Sequence, residues 1–205
     1  MITIIDYGLG NINAIYTVYK NLNITVTVAS NSSELDNAKK CILPGVGAFD
    51  YAMDRLNKSG MREKLNKLVK DNGVPILGIC VGMQMMAERS EEGKMSGLGW
   101  VKSDVLHFKH LKHHINRLNI PHMGWNNITP RKENPLLNGL SKSSYFYFLH
   151  SYYCKTHDAA TILSTTKYGN NFTSMINTNN IYGVQFHPEK SHQFGIRLLK
   201  NFSEL

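Results

Sequence analysis

The sequence is short of the features that would send a protein into a membrane, out of the cell or onto nucleic acid. No apolar run approaches the roughly 18 residues that a membrane-spanning helix needs. The MITIID start has the character of a strand, not of a basic segment followed by a signal-type apolar stretch. Cysteine is scarce: Cys41, Cys80 and Cys154 are far apart and odd in number, which argues against a disulfide framework and fits a reducing compartment. The expectation is a soluble, cytoplasmic protein. Acidic residues are also in deficit, 15 against 23 Lys and Arg, for a formal charge of +8. That excess would suit an acidic partner, but it is spread along the chain. The one dense basic block, HFKHLKHHINR at 107–117, lacks the aromatic interleaving of a single-strand binder, so no nucleic-acid role is expected. Its His107, His110, His113 and His114 have no cysteine or acidic residue among them and read as solvated side chains, not metal ligands.

What is present is enough apolar residue, 42% of 205, for one full core, and no repeat or linker calls for a second domain. Short β-rich runs alternate with helical patterns through the first half. ITIIDY (2–7), TVTVAS (25–30), CILP (41–44) and PILGIC (75–80) read as strands. NINAIYTVYKNL (11–22) reads as a helix with Ile12, Ile15, Tyr16 and Tyr19 on one face. Another, over 49–70, turns Met53, Leu56, Leu65 and Leu68 inward and is interrupted near Ser59 and Gly60. In the second half YFYFLHSYY (145–153), TILSTT (161–166), TSMIN (173–177) and IYGVQF (181–186) are strand-like and closely spaced. A last helix over 191–202 carries Phe194, Ile196, Leu198 and Leu199. The pattern predicts an α/β fold: a mixed, mainly parallel central sheet with helices on both faces and an antiparallel extension from the second half.

Chemistry concentrates at GICVG, 78–82. A Gly-x-Cys-x-Gly corner between a strand and a helix is the thiol form of a nucleophile elbow, and the helix that follows favours an anion at that corner. Read alone, the same corner also fits an inert, buried cysteine beside glycines needed for close packing. A reactive thiol needs a base, and the base an orienting group. QFHPE (185–189) offers both, because His187 and Glu189 can leave the same side of an extended backbone. PGVG (44–47), again at a strand end, can present N–H groups to a developing oxyanion, with Val46 or Gly47 joining Val81; an ordinary turn would need the same residues.

Together PGVG, GICVGMQ and HPEKS resemble the class I (triad) glutamine amidotransferases along essentially the whole chain. The resemblance implies a Cys80–His187–Glu189 triad that hydrolyses glutamine through a thioester. It further implies an oxyanion hole at Val46, Gly47 and Val81, and a glutamine pocket formed with Gly45, Gln84, Glu92, Ser151 and Tyr152. It implies no cofactor and no metal. DYGLGN (6–11), PHMGWN (121–126) and FLHSYY (148–153) resemble one branch, whose glutaminases pass ammonia to a (β/α)8-barrel cyclase in histidine biosynthesis. Asn11, Asn13, Trp125 and Lys190 fall in motifs that resemble its partner-facing surface, and the PGVG strand is the expected switch that keeps the free subunit quiet. Between Gly99 and Pro121 the chain departs from that pattern, which leaves the acceptor open: paralogous subunits of this family serve sugar amidation for surface polysaccharides.

Overall fold

The computed structural model describes residues 1–111 and 118–205; His113 and His114 of the basic block lie outside the described residues. The elements follow in the order β1 (Ile2–Ile5), α1 (Ile12–Asn21), β2 (Val26–Ala29), β3 (Cys41–Gly45), α2 (Phe49–Lys58), α3 (Arg62–Asn66), β4 (Ile76–Cys80), α4 (Val81–Met85), β5 (Arg89–Ser90) and β6 (Ser103–His107). Then come β7 (His122–Asn127), β8 (Thr129–Pro130), β9 (Tyr145–His150), β10 (Tyr152–Thr156), β11 (Ile162–Tyr168), β12 (Asn170–Thr178), β13 (Ile181–Val184) and α5 (His192–Glu204). Strands β2-β1-β3-β4-β13 pair in parallel. Beyond β13 the sheet turns antiparallel through β12, β10 and β6, with β11 and β8 attached to its side. The predicted mixed sheet is therefore present; the first half of the chain supplies β1 to β4 of its parallel part and the second half adds β13.

Strands covered on both faces read as unbroken apolar runs, and β1, β3 and β4 are buried at every residue. Each fully buried Ile or Leu contributes about 1.5–3 kcal/mol, so this parallel core is the stiff part of the molecule. Ile15 and Tyr19 of α1 and Met53, Leu56, Leu65 and Leu68 of α2 and its continuation all pack into it. The break between α2 and α3 falls where expected, at Ser59 and Gly60, the latter with φ +72°. Among the described residues no helix is long and apolar enough to cross a membrane.

Three readings of the sequence differ from the structure. Ile196 is 42% exposed, because α5 turns Gly195, Leu198, Leu199 and Phe202 to the sheet and leaves Ile196 off that face. YFYFLHSYY is not one strand: it breaks at Ser151 into β9 and β10, which join different sheets. β9 pairs with β7 as a separate antiparallel ribbon, while β10 enters the main sheet. His187 ends an extended segment, but Pro188–Lys190 is a 3-10 turn, not a continuing strand.

The end of β3 and the start of α4 approach so closely that only hydrogen fits between them. A Cβ on Gly82 would lie 1.9 Å from the Leu43 carbonyl oxygen, and one on Gly45 would lie 2.4 Å from the Gly82 nitrogen. Gly47 is different: its surroundings are open, but its φ of +85° favours glycine. Gly82→Ala is therefore expected to cost at least ~3 kcal/mol, the upper end of overpacking. Gly47→Ala should cost only the roughly 1–2 kcal/mol of a left-handed side-chain residue. Thermal or urea denaturation of the two variants checks the order.

Candidate active site

Cys80 is the last residue of β4 and the N-cap of α4, so strand becomes helix with no loop between. Its backbone takes φ +54°, ψ −113°, a region that side-chain residues rarely enter and that costs on the order of 1–3 kcal/mol. The thiol looks into a cavity of about 220 Å³ at the carboxyl end of the parallel strands. That is below the roughly 300–1,000 Å³ of drug-sized pockets and suits a ligand the size of an amino acid.

His187 faces the same cavity from the next strand's end. Its N–H donates to the Tyr147 carbonyl of the ribbon at 2.9 Å, and its carbonyl accepts from Ser191 Oγ at 2.6 Å, so the residue is clamped by its backbone. Ser191 Oγ also accepts from the Tyr147 N–H at 3.0 Å. His187 Nδ1 meets Glu189 Oε1 at 2.9 Å, and because a carboxylate accepts, that nitrogen carries the hydrogen and the other is free for the thiol. The tight 3-10 turn brings Glu189 to His187 as effectively as the extended backbone expected from the sequence. Glu189's side chain is 1% exposed and also accepts from Asn11 Nδ2 at 2.9 Å.

Burial opposes a charge on His187, but the Cys80 sulfur and the Glu189 carboxylate outweigh it and raise its pKa. Glu189 experiences the opposite balance: burial resists ionisation, yet the imidazole and Asn11 hold the carboxyl below its ordinary range. A charged imidazole between a carboxylate and a sulfur is the arrangement that a general acid for a departing amine requires.

The cavity wall brings together Cys80, His187, Val46, Gly47, Val81, Gln84, Glu92, Tyr152, Asn11 and Lys190 from the sequence-derived set. Gly45 lies behind it, paired with Cys80 across β3 and β4, while Ser151, Asn13 and Trp125 are outside the wall. Gln84 is not an exposed helix residue: it is 2% exposed and donates both amide hydrogens inward, to the Tyr152 carbonyl at 3.2 Å and Gln185 Oε1 at 3.0 Å. Only acceptor capacity is left for a ligand. Glu92 is in the turn after β5, not on a helix, and its Oε2 accepts from the Phe49 N–H at the start of α2. Tyr7 fixes the end of β3 from behind, donating to the Pro44 carbonyl at 2.8 Å.

Sequence reasoning assigned no role to Gln185, His150 or Leu149. Gln185 is fully buried and its Nε2 reaches Cys80 Sγ at 3.8 Å. A glutamine in the apolar run IYGVQF must find buried partners, and that was its signal. His150 and Leu149 line the cavity, hidden by the break at Ser151. On the ribbon's outer side the register sets Met123 opposite Leu149 and Trp125 opposite Tyr147. Met123, Trp125 and Leu149 are 62%, 48% and 40% exposed, and Lys190 reaches over the Tyr147 ring at 5.9 Å. In the basic block, His110 Nε2 is 2.9 Å from Glu91, whose Oε2 also accepts from the His107 N–H.

A family model for glutamine amidotransferase class-I matches residues 3–204. The chain is 52% identical over 205 residues to the imidazole glycerol phosphate synthase subunit HisH of Bdellovibrio bacteriovorus, covering all of both chains. It is 46% identical to the protein of the same name from Leptospira interrogans, again over the full length of both. Among solved structures, a glutamine amidotransferase superposes with TM-score 0.76 at 16% identity, over 99% of this chain and 97% of that one. PurLQS from Thermotoga maritima superposes with TM-score 0.74 at 16% identity and the same coverage. Those two likenesses concern the fold.

The pair of opposed shifts has a pH signature. Glu189, with a lowered folded pKa, contributes stability above its ordinary 4.5 that is lost as pH falls through the folded value. His187, with a raised one, contributes stability below its ordinary 6.5 that is lost as pH rises through the folded value. The Tm difference between wild type and Glu189→Gln is expected to be largest between pH 4.5 and 6.5 and to shrink on both sides. NMR titration of the variant should show His187 moved down.

Proposed function

The chain belongs to the class-I glutamine amidotransferases, and on that premise we propose that it is the glutaminase subunit of an imidazole glycerol phosphate synthase, working in the cytoplasm with a (β/α)8-barrel cyclase. The observation that carries the reading is the full-length 52% identity, joined to a thiol, an imidazole and a carboxylate set in series around one small cavity. Cys80 attacks the side-chain amide carbon of glutamine. The Cys80 proton, taken up by His187, passes to the departing ammonia, and a γ-glutamyl thioester remains. His187 then draws a proton from water as it attacks the thioester, and glutamate leaves with the thiol restored. N–H groups of Val81 and of the Val46–Gly47 strand receive the oxyanion in both halves; losing one such donor costs a factor of about 10²–10³.

Glutamine's α-ammonium suits the acceptors left on Gln84 and Glu92, and the backbone at Ser151 and Tyr152 suits its α-carboxylate. Ammonia must reach an acceptor before water protonates it, so the cyclase docks over the cavity mouth. The apolar stripe Met123, Trp125 and Leu149 on the ribbon, with Asn11, Asn13 and Lys190 beside it, is the docking face in this reading. Trp125 is the kind of large aromatic anchor that dominates such interfaces.

The test is to purify the chain with the barrel cyclase of the same organism and follow glutamate release and the cyclised product. A 1:1 complex that hydrolyses glutamine, with turnover abolished in Cys80→Ala, is the expected result; glutamate release persisting in that variant would refute the thioester route. Trp125→Ala is expected to weaken cyclase binding at least about tenfold while leaving the Tm of the free subunit unchanged.

A further inference from the structure

Two histidines that the proposed chemistry leaves unused are buried beside the cavity. His122 and His150 are 3% and 6% exposed, with the rings of Phe108, Phe148, Tyr168 and Phe172 centred 4.0–5.2 Å from one or the other. An aromatic core of this kind would accept phenylalanine at either position, and burying an imidazole has a desolvation cost unless both nitrogens are partnered.

Here the partners determine every proton. The Tyr152 carbonyl can only accept, so His150 Nδ1, 2.7 Å away, donates. Burial disfavours charge on both rings, holding His122 down to about 4 and His150 to about 3. An uncharged His150 thus has an acceptor at Nε2, and His122 Nδ1, at 3.0 Å, donates to it. His122 Nε2 is then an acceptor and meets Asn126 Nδ2 at 3.2 Å. The Asn126 amide cannot be turned round, because the same nitrogen donates to the Lys167 carbonyl at 3.1 Å. The series runs one way, from Asn126 through His122 and His150 to the Tyr152 carbonyl. There it meets the Gln84 amide, which leads on through Gln185 to the Cys80 sulfur.

We propose that His122 and His150 are positioning residues for the amino-acid end of glutamine. As a one-way pair of imidazoles they lock the Tyr152–Tyr153 peptide, and through the Tyr152 carbonyl the Gln84 amide, against the pocket. This rests on the glutaminase reading above. Neither histidine enters the bond-breaking steps, so the effect falls on glutamine binding and not on turnover.

Steady-state glutaminase assays on the complex with the cyclase test it. His122→Phe fills the same space without the donor and is expected to raise KM for glutamine about tenfold, the worth of one good hydrogen bond, with kcat held within about threefold. His122→Asn keeps an N–H donor facing His150 and should return KM to within about threefold of wild type. In ¹⁵N-histidine-labelled wild-type protein, both imidazoles should carry their proton on Nδ1 alone. An unchanged KM in His122→Phe, a fall in kcat without a change in KM, or a proton on Nε2 of either ring would overturn the proposal. A wild-type complex that does not hydrolyse glutamine would overturn the glutaminase reading and this proposal with it, whereas normal wild-type turnover with unaffected variants overturns the positioning role alone.

Discussion

Cys80 is held at a backbone conformation that it would not adopt in a free chain, and much of the surrounding structure can be understood as what holds it there. The strain is on the order of 1–3 kcal/mol. Against it stand Ile76, Leu77 and Ile79 of β4, all but completely buried and contributing about 1.5–3 kcal/mol each. The core wins, so the corner cannot relax without taking β4 out of the sheet. The glycines of β3 and α4 complete the enclosure by letting backbone meet backbone, and the Tyr7 hydroxyl fixes the Pro44 carbonyl behind the strand that faces the thiol.

The imidazole opposite is governed by a second constraint, imposed from another sheet. His187 belongs by sequence to the end of β13, yet its N–H is held by Tyr147 of the ribbon and its carbonyl by Ser191 at the start of α5. Cys80 and His187 are thus supported independently, one by the parallel core and one by the ribbon and the last helix. Asn11, from the loop before α1, donates to Glu189 Oε1 and so reaches the Cys80–His187–Glu189 cluster from a third direction. Asn11 therefore joins the surface read as partner-facing to the carboxylate that holds His187.

The parallel half of the fold was legible because its strands are buried on both faces and therefore spelled as apolar runs, with helical spacing between them. The grouping of Cys80, His187 and Glu189 was legible because a thiol between glycines and a His-x-Glu pair carry strong chemical meaning even far apart in sequence. The ribbon was not. HMGWNN alternates imperfectly around a glycine at φ +126°, and FLHSYY continues a strand pattern straight across the residue where the sheet changes. Gln84 was assigned to the pocket only through the resemblance, because the enclosure of α4, five residues long and buried throughout, comes from packing and not from spacing. Ile196 looked like core because hydrophobicity was counted without the phase of the helix.

The handover at Ser151 has a mechanical meaning. One residue separates His150, the last of the ribbon strand, from Tyr152, the first of the main-sheet strand, and no slack lies between them. The ribbon's outer stripe is thus one residue away from Tyr152, whose carbonyl holds Gln84, and a tilt of the ribbon has no intervening loop in which to be absorbed before it reaches the pocket.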